Sequence, residues 1–383
     1  MTVGVASPPE LDVRTGMLTY ARPDWDPLPG RLRERPSDFV VDEVWRGASA
    51  LMAAAGLESP EVREGPHAVF SVVKVGLTTE EAAGLLARIL RIPASRLAYA
   101  GLKDRRSVSA QFMSAPLGRP PEVVRARKVR ARFVCRSTEP VYRGSNDLNR
   151  FTLRVRETEP RELSRRLTEL SRGFPNFFSY QRFGDRPPLN HEIGLLLLRR
   201  EFDRAARLLA GKGGRGYESR VADALNRGAS GLEALRAIPR GALEMMLHSY
   251  QAYVFNLILS ERIRDGRLSP RPGDRVVSLP GGGESLALPL PGSDPDAYRG
   301  PAGEEALEML RRDGLSPESF RLPELGLNLA GGVRPARVPA RGLRLWERGD
   351  SLLASFALDR GSYATSLMRE ALLPRDPASQ GFL

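Results

Sequence analysis

One carboxylate in this chain is set among three cations on a short loop. The run Leu97-Ala98-Tyr99-Ala100-Gly101-Leu102-Lys103-Asp104-Arg105-Arg106-Ser107 reads as a short apolar strand that breaks at Gly101 and presents Asp104 between Lys103, Arg105 and Arg106. A strand followed by a glycine turn is a rigid platform for a loop residue. The neighbouring cations favour the charged form of the carboxylate. An ionised, positioned Asp serves as nucleophile or base. A solvated turn is the plain alternative, since most charged turns do no chemistry. Lysine usage favours chemistry: it occurs only at Lys74, Lys103, Lys128 and Lys212, and one of the four adjoins this Asp.

Composition removes several other chemistries. Cys135 is the only cysteine, so an internal disulfide and a cysteine zinc cluster are excluded; in Arg132-Phe133-Val134-Cys135 it reads as a buried strand residue. The three histidines, His67, His191 and His248, are too far apart in sequence to suggest a metal site. Gly281-Gly282-Gly283 and Gly213-Gly214-Arg215-Gly216 lack the strand-to-helix context of a phosphate-binding loop and read as turns. The formal net charge is +12, which points to a polyanionic partner, nucleic acid ahead of membrane. The longest apolar run, Ile193 to Leu198, is too short to span a bilayer. Met1-Thr2-Val3-Gly4 carries no signal pattern, so a cytoplasmic protein is expected.

The elements that must position the Asp104 loop follow from periodicity. The 383 residues suffice for two domains. Residues up to about Pro29 read as a loosely ordered lead-in. Phe39 to Val44, His67 to Val75, Leu97 to Ala100, Val108 to Ser114, Phe133 to Cys135 and Phe151 to Val155 read as strands. Thr78 opens a helix with Glu81 as its capping-box partner and Leu85, Leu86, Ile89 and Leu90 as the apolar stripe. A second helix runs through Leu163, Leu167 and Leu170. After Gly184 the pattern turns helical: Ile193–Arg200, Phe202–Leu209, Glu218–Leu225 and the long Leu243–Arg264, in which Phe255 is core. Leu268 to Gly303 is a linker or a β-rich excursion. Strands at 343–346 and 352–358 and a helix from Tyr363 to Leu373 close the chain. The expectation is an α+β protein with a mixed, largely antiparallel sheet, interrupted by a mainly helical insertion: 1–165 and 339–383 catalytic, 166–338 inserted.

Several segments resemble, in order, the TruD/Pus7 family of pseudouridine synthases. Gly101-Leu102-Lys103-Asp104-Arg105-Arg106-Ser107-Val108-Ser109-Ala110-Gln111 is similar to its catalytic segment. Arg33-Glu34-Arg35-Pro36-Ser37-Asp38-Phe39-Val40-Val41-Asp42-Glu43 resembles its N-terminal signature, with Arg33 where Lys is usual. Asn149-Arg150-Phe151-Thr152-Leu153 resembles the segment across the target base, and Pro175 to Gly184 the entry to the insertion domain. Ser249 to Asn256, Gly361 to Thr365 and Arg369-Glu370 match further on. The resemblance spans about Arg33 to Glu370. It implies a tRNA pseudouridine synthase with Asp104 as essential carboxylate, and uridine 13 of the D-arm as target. It also implies no cofactor, no metal and a monomer. Asp104 either attacks the ribose or abstracts a sugar proton, and Arg33 or Lys103 holds it. Phe39, Phe151 and Asn149 would contact a base taken out of the stack. Tyr180, Gln181 and Arg182 belong either to the domain junction or to an RNA contact.

Two rivals stand beside this reading. One is a catalytically silent RNA-binding protein of the same fold. The other is a uridine-directed enzyme of another reaction. A zinc deaminase lacks its Cys and His ligands here. A glycosidic hydrolase would want a second working carboxylate, for which Asp42 and Glu43 are the candidates.

Overall fold

The computed structural model describes residues 6–61, 64–184, 187–214 and 216–383. Arg215 of the glycine-rich turn and the residues Met1–Gly4 used for the signal reading lie outside these. The centre is a mixed sheet whose eight long strands are β1 (Phe39–Trp45), β2 (His67–Val75), β3 (Val108–Pro116), β4 (Val123–Ala126), β5 (Val129–Ser137), β6 (Leu148–Val155), β7 (Arg341–Arg348) and β8 (Ser351–Asp359). Their order across the sheet is β7-β8-β6-β1-β3-β2-β5-β4, and two-residue strands at 48–49 and 98–99 pair with β1 and β3. Only β1 and β3 run parallel; the other neighbours are antiparallel. The α+β class and the largely antiparallel sheet agree with the sequence reading.

The capping box forms as read. The Glu81 N–H donates to Thr78 Oγ1 at 3.2 Å and the Thr78 N–H to Glu81 Oε2 at 2.8 Å, starting α1 (Thr79–Leu90). Its buried face differs from the expected stripe. Ala82, Ala83, Leu86 and Ala87 are buried, whereas Ile89 is 46% exposed. The alanines let the helix lie close on the sheet; Leu85 and Leu90 at its rim are partly buried, and Ile89 is left outside.

The helix α2 (Pro160–Leu170) packs on β7 and β8 and against the last helix, and spans the expected division at 165/166 without a break. Then come α3 (Asn190–Leu198), α4 (Phe202–Gly211), α5 (Tyr217–Asn226), α6 (Gly231–Arg236) and the 25-residue α7 (Arg240–Arg264); all but α6, which the sequence reading did not place, lie close to the expected spans. Phe255 is core, 0% exposed. Residues 276–278, 284–290 and 332–335 form a separate three-stranded antiparallel sheet, the β-rich alternative for that stretch. A helix there, α8 (Pro301–Arg312), has no counterpart in the sequence reading. The chain closes with β7, β8 and α9 (Ala364–Leu372). No helix among the described residues is long and apolar enough to cross a membrane.

The lead-in expected up to Pro29 is packed, not loose. Met17, Tyr20, Trp25 and Leu28 are buried. Asn256 Nδ2 of α7 donates to the Thr15 carbonyl at 2.9 Å, and Ser260 Oγ donates to the Gly16 carbonyl at 2.9 Å. Gly16 has φ +80°, and a Cβ there would press on Tyr253. The Pro- and Asp-rich composition suggested disorder because the apolar residues are widely spaced. Here they are held by side chains of α7, far along the chain.

Candidate active site

Cross-strand pairing decides which side chains share a face. In β1, Phe39, Val41 and Glu43 point to one side of the sheet. Phe151 of β6 lies opposite Val41, and Asn149 opposite Glu43. In the parallel pairing Ser109 of β3 lies opposite Val41, and Lys74 of β2 lies opposite Ser109. These residues form one patch, and the 101–107 loop crosses it.

That loop is tied down at several points. Lys103 Nζ sits 2.7 Å from Glu43 Oε2 and donates to Asn149 Oδ1 at 2.9 Å, bridging the cross-strand pair. The Lys103 N–H donates to Thr79 Oγ1 at 2.8 Å, at the start of α1. Thr79 in turn donates to Gln111 Oε1 at 3.0 Å, and Gln111 Nε2 donates to the Gly101 carbonyl at 3.3 Å. Lys74, itself buried, donates to the carbonyls of Leu77 and Asp104 at 2.7 and 2.8 Å. Burial pushes its ammonium down to about 8. Ser107 Oγ donates to the same Asp104 carbonyl at 2.7 Å. A carbonyl with two donors on it holds its own residue in place.

The Asp104 side chain remains 40% exposed. Its cation is Arg33, whose Nη2 lies 2.7 Å from Asp104 Oδ2. The three neighbours in sequence do not pair with it. Lys103 is taken by Glu43, Arg105 pairs with Glu81, and Arg106 Nη2 donates to the Arg33 carbonyl at 3.1 Å. Successive side chains cannot all converge on one carboxylate, so the partner comes from 71 residues away. Of the two cations the sequence left open, Arg33 makes the contact.

Arg33 is unusually constrained. Its backbone is left-handed, with φ +56°, a conformation that costs a non-glycine residue energy. It is 4% exposed, and its guanidinium carbon stands 4.1 Å over the Phe39 ring. Burial pushes its pKa down, and the Asp104 charge opposes that shift.

The aromatic residues are less open than expected. Phe39 is 3% exposed beneath Arg33, and Phe151 is 8% exposed and stacked on Phe356 at 5.7 Å. Asn149 is only half-buried. An ammonium can only donate, so Lys103 fixes the Asn149 amide with Oδ1 inward and its NH2 outward. Gly101, read as a turn glycine, needs no special backbone angle; a Cβ there would meet nothing within 4 Å. Asp42 points to the other face and accepts from Ser49 Oγ at 2.7 Å and the Leu51 N–H at 2.8 Å. Glu43 is ion-paired through Oε2 with Lys103, and its Oε1 accepts from the Phe112 N–H at 3.0 Å. Neither is a free second carboxylate, which removes the footing of the hydrolase rival. Tyr180 and Gln181 resolve as junction residues: Tyr180 is fully buried with its hydroxyl donating to Asp12, and Gln181 Nε2 donates to the Phe382 carbonyl at 2.9 Å.

Sequence reasoning missed Glu43 as the Lys103 partner, and Thr79 and Lys74 as loop anchors. The scarcity of lysine was the signal for Lys74. Glu43 alternates with Phe39 and Val41 along a strand, which was enough to place it on their face. Lys103→Met is expected to destabilise the fold by roughly 3 kcal/mol, because the fully buried Glu43 then stands unpaired. Lys103→Met/Glu43→Gln should recover part of that loss. Urea unfolding checks it; an unchanged midpoint for Lys103→Met would mean the pair does not carry the loop.

Comparison with known proteins bears on this arrangement. The family model described as tRNA pseudouridine synthase D (TruD) matches residues 14–227, 212–283 and 278–371. A protein of Pyrobaculum neutrophilum described as a probable tRNA pseudouridine synthase D is 32% identical over 98% of this chain and 99% of its own length. One from Methanopyrus kandleri with the same description is 30% identical over 86% of this chain and 92% of its own. A crystal structure described as a putative tRNA pseudouridine synthase D from Methanosarcina mazei superposes with a TM-score of 0.71. It is 24% identical and covers 99% of this chain and all of its own, a likeness of fold.

Proposed function

Because the chain belongs to the tRNA pseudouridine synthase D family, and is thus a tRNA-modifying isomerase, we propose that Asp104 is its catalytic carboxylate and that uridine 13 of the D-arm is its target. The observation that carries the site is the Arg33–Asp104 pair: a half-exposed carboxylate on an anchored loop, held at 2.7 Å by a buried guanidinium. The reaction breaks the bond from C1′ to N1 and makes one from C1′ to C5. The C5 proton leaves and N1 gains one, so the product is an isomer and no electrons are exchanged. Asp104 acts at the ribose, by attack at C1′ or by removing the 2′ proton, and is regenerated. Asn149 turns its NH2 outward, where it suits a carbonyl acceptor of uracil. Phe151 lies beside it, and Phe39 acts by supporting Arg33. The catalytic unit is close to the expected 1–165 with 339–383, its first part running on to the end of α2, and the rest up to 338 is the insertion. We read the enzyme as a cytoplasmic monomer.

The RNA backbone needs cations near this loop. Arg125, Arg127, Lys128 and Arg130 are exposed on the β4–β5 hairpin and form no ion pair among the described residues. The hairpin tip reaches the catalytic loop through two backbone bonds: Val75 N–H to Lys128 O at 3.0 Å and Gly76 N–H to Ser107 O at 3.2 Å. Changing all four to Ala should raise KM with kcat preserved. It should also flatten the salt dependence of binding by about 0.7–0.9 for each phosphate no longer neutralised. An unchanged salt slope would put the RNA elsewhere.

The function itself is tested with transcripts tritiated at C5 of uridine. Tritium release, followed by carbodiimide treatment and primer extension, should give a stop at uridine 13. A stop at another uridine would correct the target and leave the reaction. Stable binding at low salt without release would revive the silent binder.

A further inference from the structure

Arg33 is held from a second side. Its Nη1 donates to the Phe382 carbonyl at 3.3 Å while Nη2 holds Asp104. The same carbonyl accepts from Gln181 Nε2 of the insertion at 2.9 Å. Thr365 Oγ1 of α9 lies 3.3 Å from Gln181 Oε1 and 2.7 Å from Ser179 Oγ. The segment 380–382 runs along the peptide before Arg33: the Leu32 N–H donates to the Gln380 carbonyl at 2.9 Å. Gly381 has φ +82°, and a Cβ there would overlap the Leu32 carbonyl oxygen. Phe382 is fully buried, with its ring edge-on to Tyr180 at 6.3 Å.

We propose that residues 380–382, secured by Gln181, form a strap that positions Arg33 for its contact with Asp104, and so make the insertion part of the catalytic geometry. The proposal rests on Asp104 being the catalytic carboxylate. The physical case is one of orientation. Arg33 combines a left-handed backbone with a buried guanidinium, and such a residue keeps one geometry only where its surroundings over-determine it. A planar guanidinium bonded at both terminal nitrogens has a fixed direction. Without the Phe382 carbonyl, Nη1 has no acceptor and the plane can turn away from Asp104. The strap touches no substrate; Gly381, Phe382 and Gln181 are positioning residues.

The test is a double-mutant cycle on the full chain with the tritiated transcript. Gly381→Ala displaces the strap through its backbone, and Gln181→Met removes one of its anchors at similar volume. Each is measured alone and with Arg33→Met, with Asp104→Asn as reference. Gly381→Ala should lower kcat about 10- to 100-fold with KM within about twofold, since small misplacements cost rate. Gln181→Met should give a smaller loss of the same kind. In the Arg33→Met background both should change kcat less than about twofold, because residues acting through a shared partner are not additive. The same factor in both backgrounds, or an effect on KM alone, overturns the strap. If Gly381→Ala does not fold, Gln181→Met decides by the same criterion. Activity retained by Asp104→Asn would instead overturn the catalytic reading beneath it.

Discussion

Asp104→Asn is expected to lower tritium release from C5-labelled tRNA by at least about 1000-fold while leaving RNA affinity within a few-fold. The substitution keeps shape and an acceptor for Arg33 Nη2, and removes only the charge and the basic oxygen. Both routes at the ribose need that oxygen, as nucleophile or as base. The cations of the β4–β5 hairpin are untouched, so binding persists. The loop is untouched as well: its anchors are the Asp104 carbonyl, the Lys103 side chain and the Gly101 carbonyl, none of which involves the carboxylate. Release above a tenth of the wild-type rate would move the essential carboxylate elsewhere. Arg33→Lys should fall between wild type and Asp104→Asn, since an ammonium is a single point and cannot bond the Phe382 carbonyl and Asp104 in one plane.

Arg369→Met should destabilise the whole protein by about 3–5 kcal/mol, the largest stability effect expected here. Arg369 is 1% exposed. Its Nε lies 2.6 Å from Asp12 Oδ2, it pairs with Glu370, and its Nη2 donates to the Thr19 carbonyl at 3.0 Å. Tyr180 donates to Asp12, and the Ala21 N–H donates to Glu370 Oε2 at 2.7 Å. One guanidinium therefore joins the N-terminal residues, the insertion and α9. Methionine fills most of the volume and leaves two buried carboxylates without a cation. Burial raises both Asp12 and Glu370, and the Arg369 charge is the largest influence opposing it. In the variant both rise further and hold protons in the folded state, while in the unfolded chain they titrate near pH ~4. The folded variant then binds more protons than the unfolded one, so its stability falls as pH rises above about 4. The deficit against wild type should be smaller at about pH 5 than at about pH 8 in urea unfolding. A deficit that shrinks with rising pH would show that the carboxylates do not carry the effect.

Much of this was written locally in the chain. Alternating strands, the Thr78–Glu81 capping box, the long helix through Phe255 and the Asp104 loop all depend on residues within a few positions of one another. Steric and hydrogen-bond preferences at that range are readable without knowing the fold. The order of motifs from Arg33 to Glu370 was legible for the same reason.

What tertiary structure decided is every relation across long sequence distances. The residues beside Asp104 offered Lys103, Arg105 and Arg106 and the resemblance added Arg33; the fold sent the first three elsewhere and set Arg33 against the carboxylate. The sequence offered a loose lead-in, and the fold buried Met17, Tyr20, Trp25 and Leu28 against helices far along the chain. It left Gln181 between two roles, and the Phe382 carbonyl fixed it at the junction. Neighbours in sequence diverge because successive side chains point in different directions. Residues hundreds of positions apart converge because strand pairing and burial set their places. The sequence thus singled out Asp104 and narrowed its cation to Arg33 or Lys103, and only the fold decided between the two.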